Sequence, residues 1–337
     1  MTFISTPCIA ARLAAAVFLG LSLAGCLDTV TGSIGTAART ALDRSPVLLV
    51  ATTRRAADDP ERSPWFGSQR GKGLTVAEAQ LSTPDRSLTG RVASVVTGDW
   101  TIASVRRLGQ GEAAAGAFAS AVTGRDVLLY VHGYRETFAS SAINAAQLSE
   151  GIRFSGATAL FTWPSAASTF DYGYDRESAL WSRDAFEDLL KALADGPSGG
   201  RVHIVAHSMG TLLTLETLRM VRASGGEAAM ARIGAVVLAA PDIDFDLFAR
   251  SLERLGPDAK KITVISSTND RALAVSARLA GATRAGAAER EKLEALGVRV
   301  ADASDYSRGF ANIISHDLFL SNQEVRQVVK RAIDRAG

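Results

Sequence analysis

Residues 201–221 read RVHIVAHSMGTLLTLETLRMV, and the character of the sequence changes at Ser208. The residues before the serine are mostly apolar and β-branched, which is typical of a buried strand, whereas the leucines from position 211 onward recur at helical spacing. Ser208 is therefore predicted to lie at a strand-to-helix turn that exposes its hydroxyl group. Ala206 and Gly210, two residues before and after it, allow such a turn to close without a clash of Cβ atoms.

Short apolar runs alternate along the chain with longer stretches that are compatible with helices. The runs predict strands at residues 47–51, 127–131, 157–163, 202–206, 233–240 and 262–265. The stretches, which lack internal proline, predict helices at residues 140–150, 179–194, 209–223, 245–255 and 322–333. Strands that are apolar on both faces belong to parallel sheets covered by helices. The sequence therefore predicts an α/β fold with a mostly parallel central sheet and helices on both faces.

Two regions depart from this alternation. In residues 54–125, prolines and glycines break the sequence into short strands or hairpins, which predicts an antiparallel edge ahead of the parallel sheet. Residues 279–288 are rich in alanine and glycine and carry little pattern, so we expect them to form a surface excursion.

The length and the charge of the chain limit its function. A chain of 337 residues, 47% of them hydrophobic, can bury the core of one large domain, which we expect over residues 46–337. The formal net charge is +2, from 37 basic and 35 acidic residues without a long run of either sign. A nucleic-acid partner is therefore not expected.

The first 25 residues differ from the rest of the chain. Arg12 is their only charged residue, and the apolar stretch 13–25 is shorter than the roughly 20 residues that span a bilayer, so residues 1–25 are predicted to be a signal peptide. Its end, Leu-Ala-Gly-Cys at 23–26, resembles the bacterial lipobox, in which the cysteine is acylated and becomes the new N-terminus. An ordinary secretory signal with an incidental Cys26 is the alternative.

Acylation of Cys26 would make residues 26–45 a lipidated N-terminus and tether between the membrane and the domain. The resemblance thus implies a lipid-anchored protein of the bacterial cell envelope. Leu27, directly after the cysteine, lacks the acidic signal that retains some lipoproteins in the inner membrane, and this favours the outer membrane.

A serine becomes an effective nucleophile only when a base takes its proton, and the chain contains four histidines. His207 lies inside the turn, His203 lies on the strand before it, and His132 belongs to another motif. His316 is the only histidine after Ser208 and is therefore the candidate base. The alternative is a capping or surface histidine ahead of the last helix.

The acid that orients this base is expected after a strand that lies between the serine and the histidine. Asp270 and Asp242 both follow predicted strands. We favour Asp270, because its polar loop, residues 266–270, ends the strand that is nearest in sequence to His316. Asp242 is the alternative acid, and each aspartate could instead cap the helix that follows it.

A reaction at a carbonyl group also needs N–H donors for the developing oxyanion. The amide of Met209, directly after the serine, is one candidate. The second is the amide of Tyr134, in the sequence His132-Gly133-Tyr134 that follows the strand at 127–131. A glycine in this loop lets a substrate approach the backbone, although a tight turn that needs Gly133 would give the same pattern.

Aromatic residues cluster after the strand predicted at 157–163, where such folds build a substrate pocket or a cap. Trp163 and Tyr172, together with His132 and Gly133, are therefore the candidates for lining the pocket. The alternative is a loop that packs its own aromatic side chains against the body of the domain.

The sequence contains no pattern that indicates a metal or a phosphate-binding cofactor. His203 and His207 are four residues apart, but on a strand that rises about 3.3 Å per residue they lie roughly 13 Å apart and cannot share one metal ion. Lys72 precedes a glycine, where a P-loop requires Ser or Thr. We expect neither a metal nor a cofactor.

Taken together, these segments resemble the α/β-hydrolase superfamily, and within it bacterial lipase-like and esterase-like proteins of undefined substrate. The resemblance covers roughly residues 47–320 and rests on segments 132–134, 161–165, 206–210, 239–242 and 267–273. It implies a triad of Ser208, Asp270 and His316, with an oxyanion hole formed by the Tyr134 and Met209 amides.

Two features depart from the family pattern. Ala206 stands where a glycine is usual, and His316 lies far beyond the last predicted strand, residues 298–301. The resemblance implies a serine hydrolase that cleaves small-molecule or lipid carboxylic esters through an acyl-enzyme. The same triad would serve an acyltransferase or a peptidase, and an envelope lipoprotein could also use a hydrolase fold for binding without catalysis.

Overall fold

A computed structural model of the protein describes residues 46–59, 62–82, 100–196, 199–307 and 315–336. The predicted signal peptide, Cys26 and the tether lie outside these residues and stay predictions. In the part of the chain that the structure describes, no helix has the length and the apolar character needed to cross a bilayer.

The strands of the described chain form one sheet in the order β3-β2-β1-β5-β4-β6-β7-β8-β9. The strands are β1 (Val47–Ala56), β2 (Phe66–Ser82), β3 (Thr101–Gln110), β4 (Val127–Val131), β5 (Ala157–Thr162), β6 (Val202–His207), β7 (Ile233–Ala239), β8 (Ile262–Ser266) and β9 (Arg299–Asp302). Pairs β1–β2 and β2–β3 are antiparallel, and every other neighbouring pair is parallel. The predicted parallel sheet with an antiparallel N-terminal edge is confirmed.

Helices cover both faces of this sheet. They are α1 (Glu112–Ala121), α2 (Phe138–Ile152), α3 (Tyr172–Trp181), α4 (Arg183–Asp195), α5 (Met209–Ala231), α6 (Phe245–Leu255), α7 (Arg271–Ala280), α8 (Arg290–Glu294), α9 (Leu318–Ser321) and α10 (Gln323–Asp334). Buried residues of α1, α4, α5 and α6 form the core on one face, and those of α2, α9 and α10 form the core on the other.

The sequence of β4 illustrates why the central strands are apolar throughout. All five residues are buried: Leu129 points into one core, whereas Leu128 and Tyr130 point into the other. A buried leucine or valine stabilises the fold by roughly 1.5–3 kcal/mol, so polar residues are excluded from both faces of such a strand. The strand lies within the bounds that the apolar run predicts.

Two predictions about local structure are wrong, one of them only in part. The helix predicted at 179–194 is divided at Ser182, whose hydroxyl group meets that of Thr53 at 2.8 Å. Residues 279–281 lie on the surface as predicted, whereas Arg284 and Ala285 are buried. A Cβ atom at Gly286 would lie 2.6 Å from the backbone nitrogen of Pro241, so the small residues in the second part of this segment reflect close packing.

Candidate active site

Ser208 connects β6 to α5 in a strained backbone conformation. Its φ of 50° and ψ of −121° are unusual for a residue with a side chain, and such strain concentrates at functional sites. The amide of Ser208 donates to the carbonyl of Ala239 at 2.9 Å, and its carbonyl accepts from the amide of Thr211 at 3.0 Å. A Cβ atom at Gly210 would lie 2.3 Å from the carbonyl oxygen of His132, so only glycine fits there. The predicted strand-to-helix turn is present.

The loop after β4 lies directly against this turn. A Cβ atom at Gly133 would lie 3.0 Å from Cβ of Ser208 and 2.9 Å from Nδ1 of His207. The amide of the next residue, Tyr134, donates to no acceptor among the residues that the structure describes. Met209 begins α5, so its amide is one of those that have no acceptor within the helix. One candidate oxyanion donor, the Tyr134 amide, thus follows the glycine that packs against Ser208, and the other, the Met209 amide, follows Ser208 itself.

His316 and Asp270 form a hydrogen-bonded pair. Nδ1 of His316 donates to Oδ2 of Asp270 at 2.8 Å, and the exposed fractions of the two side chains are 15% and 1%. The other carboxylate oxygen, Oδ1, accepts from the amide of Leu273 at 3.1 Å and caps α7. Asp270 therefore meets both expectations raised by the sequence, since it contacts the histidine and caps its own helix.

The two members of this pair shift each other's pKa. Burial lowers the pKa of His316, but the charge and hydrogen bond of Asp270 outweigh burial and raise it from 6.5 to about 9. Burial raises the pKa of Asp270, and the charge and hydrogen bond of His316 reverse this and lower it. The pair is therefore an ion pair at neutral pH, and His316 must lose a proton before it can act as a base.

No hydrogen bond joins the hydroxyl group of Ser208 to His316 in this structure. His316 instead packs against His207, the neighbour of the serine, with 4.7 Å between the ring centroids. Contacts to a general base are commonly long in ligand-free enzymes and shorten when the substrate binds. Asp270 thus holds His316 beside the turn that carries the candidate nucleophile.

Asp242 belongs to a separate buried network. Its carboxylate accepts from Oγ of Ser276 at 2.5 Å and from the hydroxyl group of Tyr172 at 2.9 Å, and it pairs with Nε of Arg284 at 3.2 Å. Its side chain is only 4% exposed. These partners bind both of its oxygens, and the aspartate that contacts His316 is Asp270.

The two histidines of β6 have structural contacts. Nε2 of His207 donates to the carbonyl of His316 at 3.2 Å and lies 3.3 Å from a carboxylate oxygen of Asp317. Burial and the nearby charge of His316 lower the pKa of His207 to about 4, so it is neutral at pH 7. Nδ1 of His203 accepts from the amide of Ala235 at 3.1 Å. His207 thus supports the backbone of the candidate base.

His132 and Trp163 do not line an open pocket, contrary to expectation. Both side chains are fully buried, and their rings stack with centroids 4.6 Å apart. Nε2 of His132 accepts from the amide of Trp163 at 3.1 Å, and Nε1 of Trp163 donates to the carbonyl of His132 at 3.0 Å. These two residues join the loops after β4 and β5, and their side chains cannot reach a substrate.

Tyr134 and Tyr172 are half-buried and pack edge to face, with 5.4 Å between their ring centroids. The hydroxyl group of Tyr134 donates to the carbonyl of Ser168 at 2.9 Å, which ties down the loop before α3. In the same loop Phe170 is 91% exposed. Of the four candidate pocket residues, Gly133 adjoins the serine turn, and Tyr172 packs against Tyr134, the next residue in that loop.

Sequence reasoning missed three buried charged residues around the site, Arg54, Asp175 and Arg284. The burial of Arg54 could have been predicted, because Thr52-Thr53-Arg54 directly continues the apolar strand predicted at 47–51. Asp175 accepts a hydrogen bond from Oγ of Ser165 at 2.5 Å and so holds the loop after β5. Within the described ranges, no group of three His, Cys, Asp or Glu side chains could hold a metal ion.

Comparison with solved structures matches the chain to several proteins at low sequence identity. A CIB-like hydrolase from Thermoplasma acidophilum has 15% sequence identity and a TM-score of 0.40, over 76% of this chain and 97% of that one. Est1E from Butyrivibrio proteoclasticus has 10% identity and a TM-score of 0.39, over 78% and 95%. Brefeldin A esterase, a bacterial homologue of human hormone-sensitive lipase, has 15% identity and a TM-score of 0.43, over 99% and 88%.

No curated protein matches the sequence significantly. Residues 112–332, well over half of the chain, match the family described as alpha/beta hydrolase of unknown function (DUF900). The matched region begins at α1 and includes the serine turn, Asp270 and His316. The protein is thus an α/β hydrolase and belongs to this family.

Proposed function

We propose that the protein is a serine hydrolase that cleaves carboxylic esters through an acyl-enzyme. The observation that carries this proposal is the arrangement around Ser208, a strained serine whose turn adjoins the hydrogen-bonded pair of His316 and Asp270. A buried carboxylate that accepts from Nδ1 of a histidine fixes the tautomer in which Nε2 can accept a proton.

In the proposed reaction, Nε2 of His316 takes the proton of Ser208 as Oγ attacks the carbonyl carbon of the ester. The tetrahedral oxyanion accepts hydrogen bonds from the amides of Tyr134 and Met209, each of which contributes about 3 kcal/mol in such sites. The C–O bond to the alcohol then breaks, and His316 gives its proton to the leaving oxygen. A water molecule releases the acid by the same steps, and Asp270 stabilises the imidazolium throughout.

Labelling with a fluorophosphonate tests the nucleophile. We expect the folded wild type to become labelled, and Ser208→Ala and His316→Ala to lose labelling. Ser120→Ala, which changes an exposed serine on α1, is the matched control and should label like the wild type. A folded wild type that does not react would contradict the enzyme proposal and would support a non-catalytic binding protein.

An acceptor assay separates the hydrolase from its closest alternatives. The same catalytic groups would serve an acyltransferase or a peptidase, so the products must decide. We expect an ester panel of increasing acyl length to yield free acid, with rates unchanged when an amine or a second alcohol is added. Formation of the transacylated product in preference to the acid would overturn the assignment as a hydrolase.

We also propose that acylated Cys26 attaches the protein to a membrane of the bacterial envelope, with the outer membrane favoured. The support is the sequence Leu-Ala-Gly-Cys at 23–26 and the small, polar residues that follow it. The test is membrane fractionation of the wild type and of Cys26→Ala in the native host. We expect the wild type in the membrane fraction and the variant outside it, and equal partitioning would contradict lipidation.

A further inference from the structure

Arg54, on β1, is a buried cation that the proposed reaction does not use. Its exposed fraction is 2%, and four of its five N–H groups donate to oxygen acceptors. Nε donates to Oγ1 of Thr162 at 2.8 Å, and Nη1 donates to the carbonyls of Gly67 at 3.2 Å and Ser165 at 3.3 Å. Nη2 donates to the carbonyl of Glu136 at 2.6 Å and lies 3.5 Å from Nε2 of His132.

Stability alone does not account for this arginine. Among the described residues, no carboxylate forms an ion pair with it, so its charge is balanced only by neutral acceptors and by more distant acids. Burial lowers the pKa of Arg54 to about 10, which reflects the free energy lost when the charge leaves water. Buried charges of this kind are often less stabilising than apolar residues of the same volume. Its contacts therefore indicate that Arg54 positions the loops around the site.

The acceptors of Arg54 bracket the candidate oxyanion donor. His132 lies two residues before Tyr134 and Glu136 lies two residues after it, and Nη2 of Arg54 contacts both. Between these contacts the chain carries Gly133, which touches the serine turn, and the amide of Tyr134, which has no acceptor among the described residues. The guanidinium group thus fixes the loop on both sides of this amide.

Asp175 completes this support from the opposite side. Its carboxylate accepts from the amide of Arg135 at 3.2 Å and from the amide of Ala166 at 2.6 Å. Arg135 has a φ of 63°, a left-handed conformation that side chains rarely adopt, and the bond to Asp175 holds it there. The loops after β4 and β5 are therefore connected to each other through Arg54 and Asp175.

We propose that Arg54 is a positioning residue that holds the Tyr134 amide where the oxyanion forms. This inference rests on the proposed function, because it assigns a role within the same site. Arg54 does not touch the substrate, and it acts through the backbone of residues 132–136. Lysine cannot replace it, since a single ammonium group carries three N–H donors and cannot contact all four oxygen acceptors.

The test compares Arg54→Gln and Arg54→Lys with Arg55→Gln, a neighbouring change on the exposed side of the same strand. The readouts are kcat and KM on a soluble ester and the inhibition constant of a trifluoromethyl ketone, whose adduct carries an oxyanion. Loss of one oxyanion donor lowers kcat by about 100-fold, so we expect a decrease of that order in both Arg54 variants. The inhibition constant should rise by a comparable factor while KM changes little, and Arg55→Gln should resemble the wild type.

Two further measurements keep the inference testable. If Arg54→Gln fails to fold, Thr162→Val removes the acceptor of Nε, together with a longer contact to Ser141, and should show a smaller loss of the same kind. Hydrogen–deuterium exchange of residues 131–137 should be faster in the Arg54 variants than in Arg55→Gln, and this readout does not require activity.

Wild-type kcat and inhibition constant in a folded Arg54→Gln would overturn the inference, as would unchanged exchange in residues 131–137. A wild type that neither turns over esters nor reacts with fluorophosphonate would instead contradict the proposed function.

Discussion

Asp270 accepts a hydrogen bond from Nδ1 of His316 at 2.8 Å, although 46 residues separate the two in sequence. The same carboxylate caps α7 through its other oxygen. Because the cap fixes the carboxylate against a helix, the acid cannot rotate away when the histidine changes its protonation state. One side chain thus orients the base and attaches the base to a rigid element.

Replacement of Asp270 by asparagine separates these two roles. The amide oxygen of Asp270→Asn can still cap α7, but the amide nitrogen cannot accept from Nδ1 of His316, so the histidine is free to adopt the wrong tautomer. We expect kcat to fall by about 10⁴-fold, and Tm to fall at neutral pH because the ion pair with His316 is lost. Asp244→Asn is the matched control, because Asp244 caps α6 through the amide of Leu247 at 3.0 Å without contacting a histidine. Equal activity of the two variants would exclude Asp270 as the orienting acid.

The pH dependence of activity should report the pKa of His316. The base must be deprotonated to act, and its pKa is raised to about 9, so kcat/KM should rise with pH and level off only above that value. In Asp270→Asn, His316 loses the attraction of the carboxylate but stays buried, so its pKa should fall and the midpoint of the kcat/KM profile should move to lower pH. The measurement is the pH profile of kcat/KM for both proteins. A profile that is flat through this range would contradict His316 as the base.

The same shift affects the free energy of unfolding in a defined pH range. The pKa of His316 is higher in the folded protein, at about 9, than the ordinary 6.5 of the unfolded chain. Its interaction with Asp270 therefore stabilises the fold fully below pH 6.5, and this contribution is lost as the pH rises through about 9. Urea unfolding at several pH values should show the decline in the wild type and a weaker one in His316→Gln. If the unfolding free energy falls equally steeply with pH in both proteins, the pair of His316 and Asp270 does not contribute to stability.

Sequence reasoning recovered the parts of the fold that follow from hydrophobic pattern. The strand at 127–131 was predictable because both of its faces are buried, and the turn at Ser208 because a strand and a helix adjoin it. The contacts of Arg54 were not predictable, because most of its acceptors are backbone carbonyls, which every residue carries. The small residues of 279–288 predicted exposure, which holds for residues 279–281, whereas Gly286 is small because it packs against the chain at Pro241.

Asp242 should matter for stability and not for the reaction. Removal of its carboxylate in Asp242→Ala leaves Arg284 buried without its ion-pair partner, which costs about 3–5 kcal/mol in comparable sites. We expect urea unfolding to show this loss, while the folded fraction keeps its fluorophosphonate labelling and most of its kcat. Tyr172→Phe, which removes one hydrogen bond to the same carboxylate, should cost only about 1 kcal/mol. A large fall in kcat in a folded Asp242 variant would reassign it as the catalytic acid.

A methyl group at position 133 should separate the two loops that meet at the nucleophile. In Gly133→Ala the new Cβ would lie 2.9 Å from Nδ1 of His207 and 3.0 Å from Cβ of Ser208, and neither neighbour is at the free end of a flexible chain. We expect the loop after β4 to shift away from the turn, with a loss of about 1–3 kcal/mol in unfolding free energy and a fall in kcat larger than any change in KM. Gly116→Ala, in α1, is the control, since its Cβ meets nothing within 4 Å and alanine favours a helix by about 0.5–1 kcal/mol. If both variants keep wild-type kcat, the position of the Tyr134 amide relative to Ser208 does not limit the reaction.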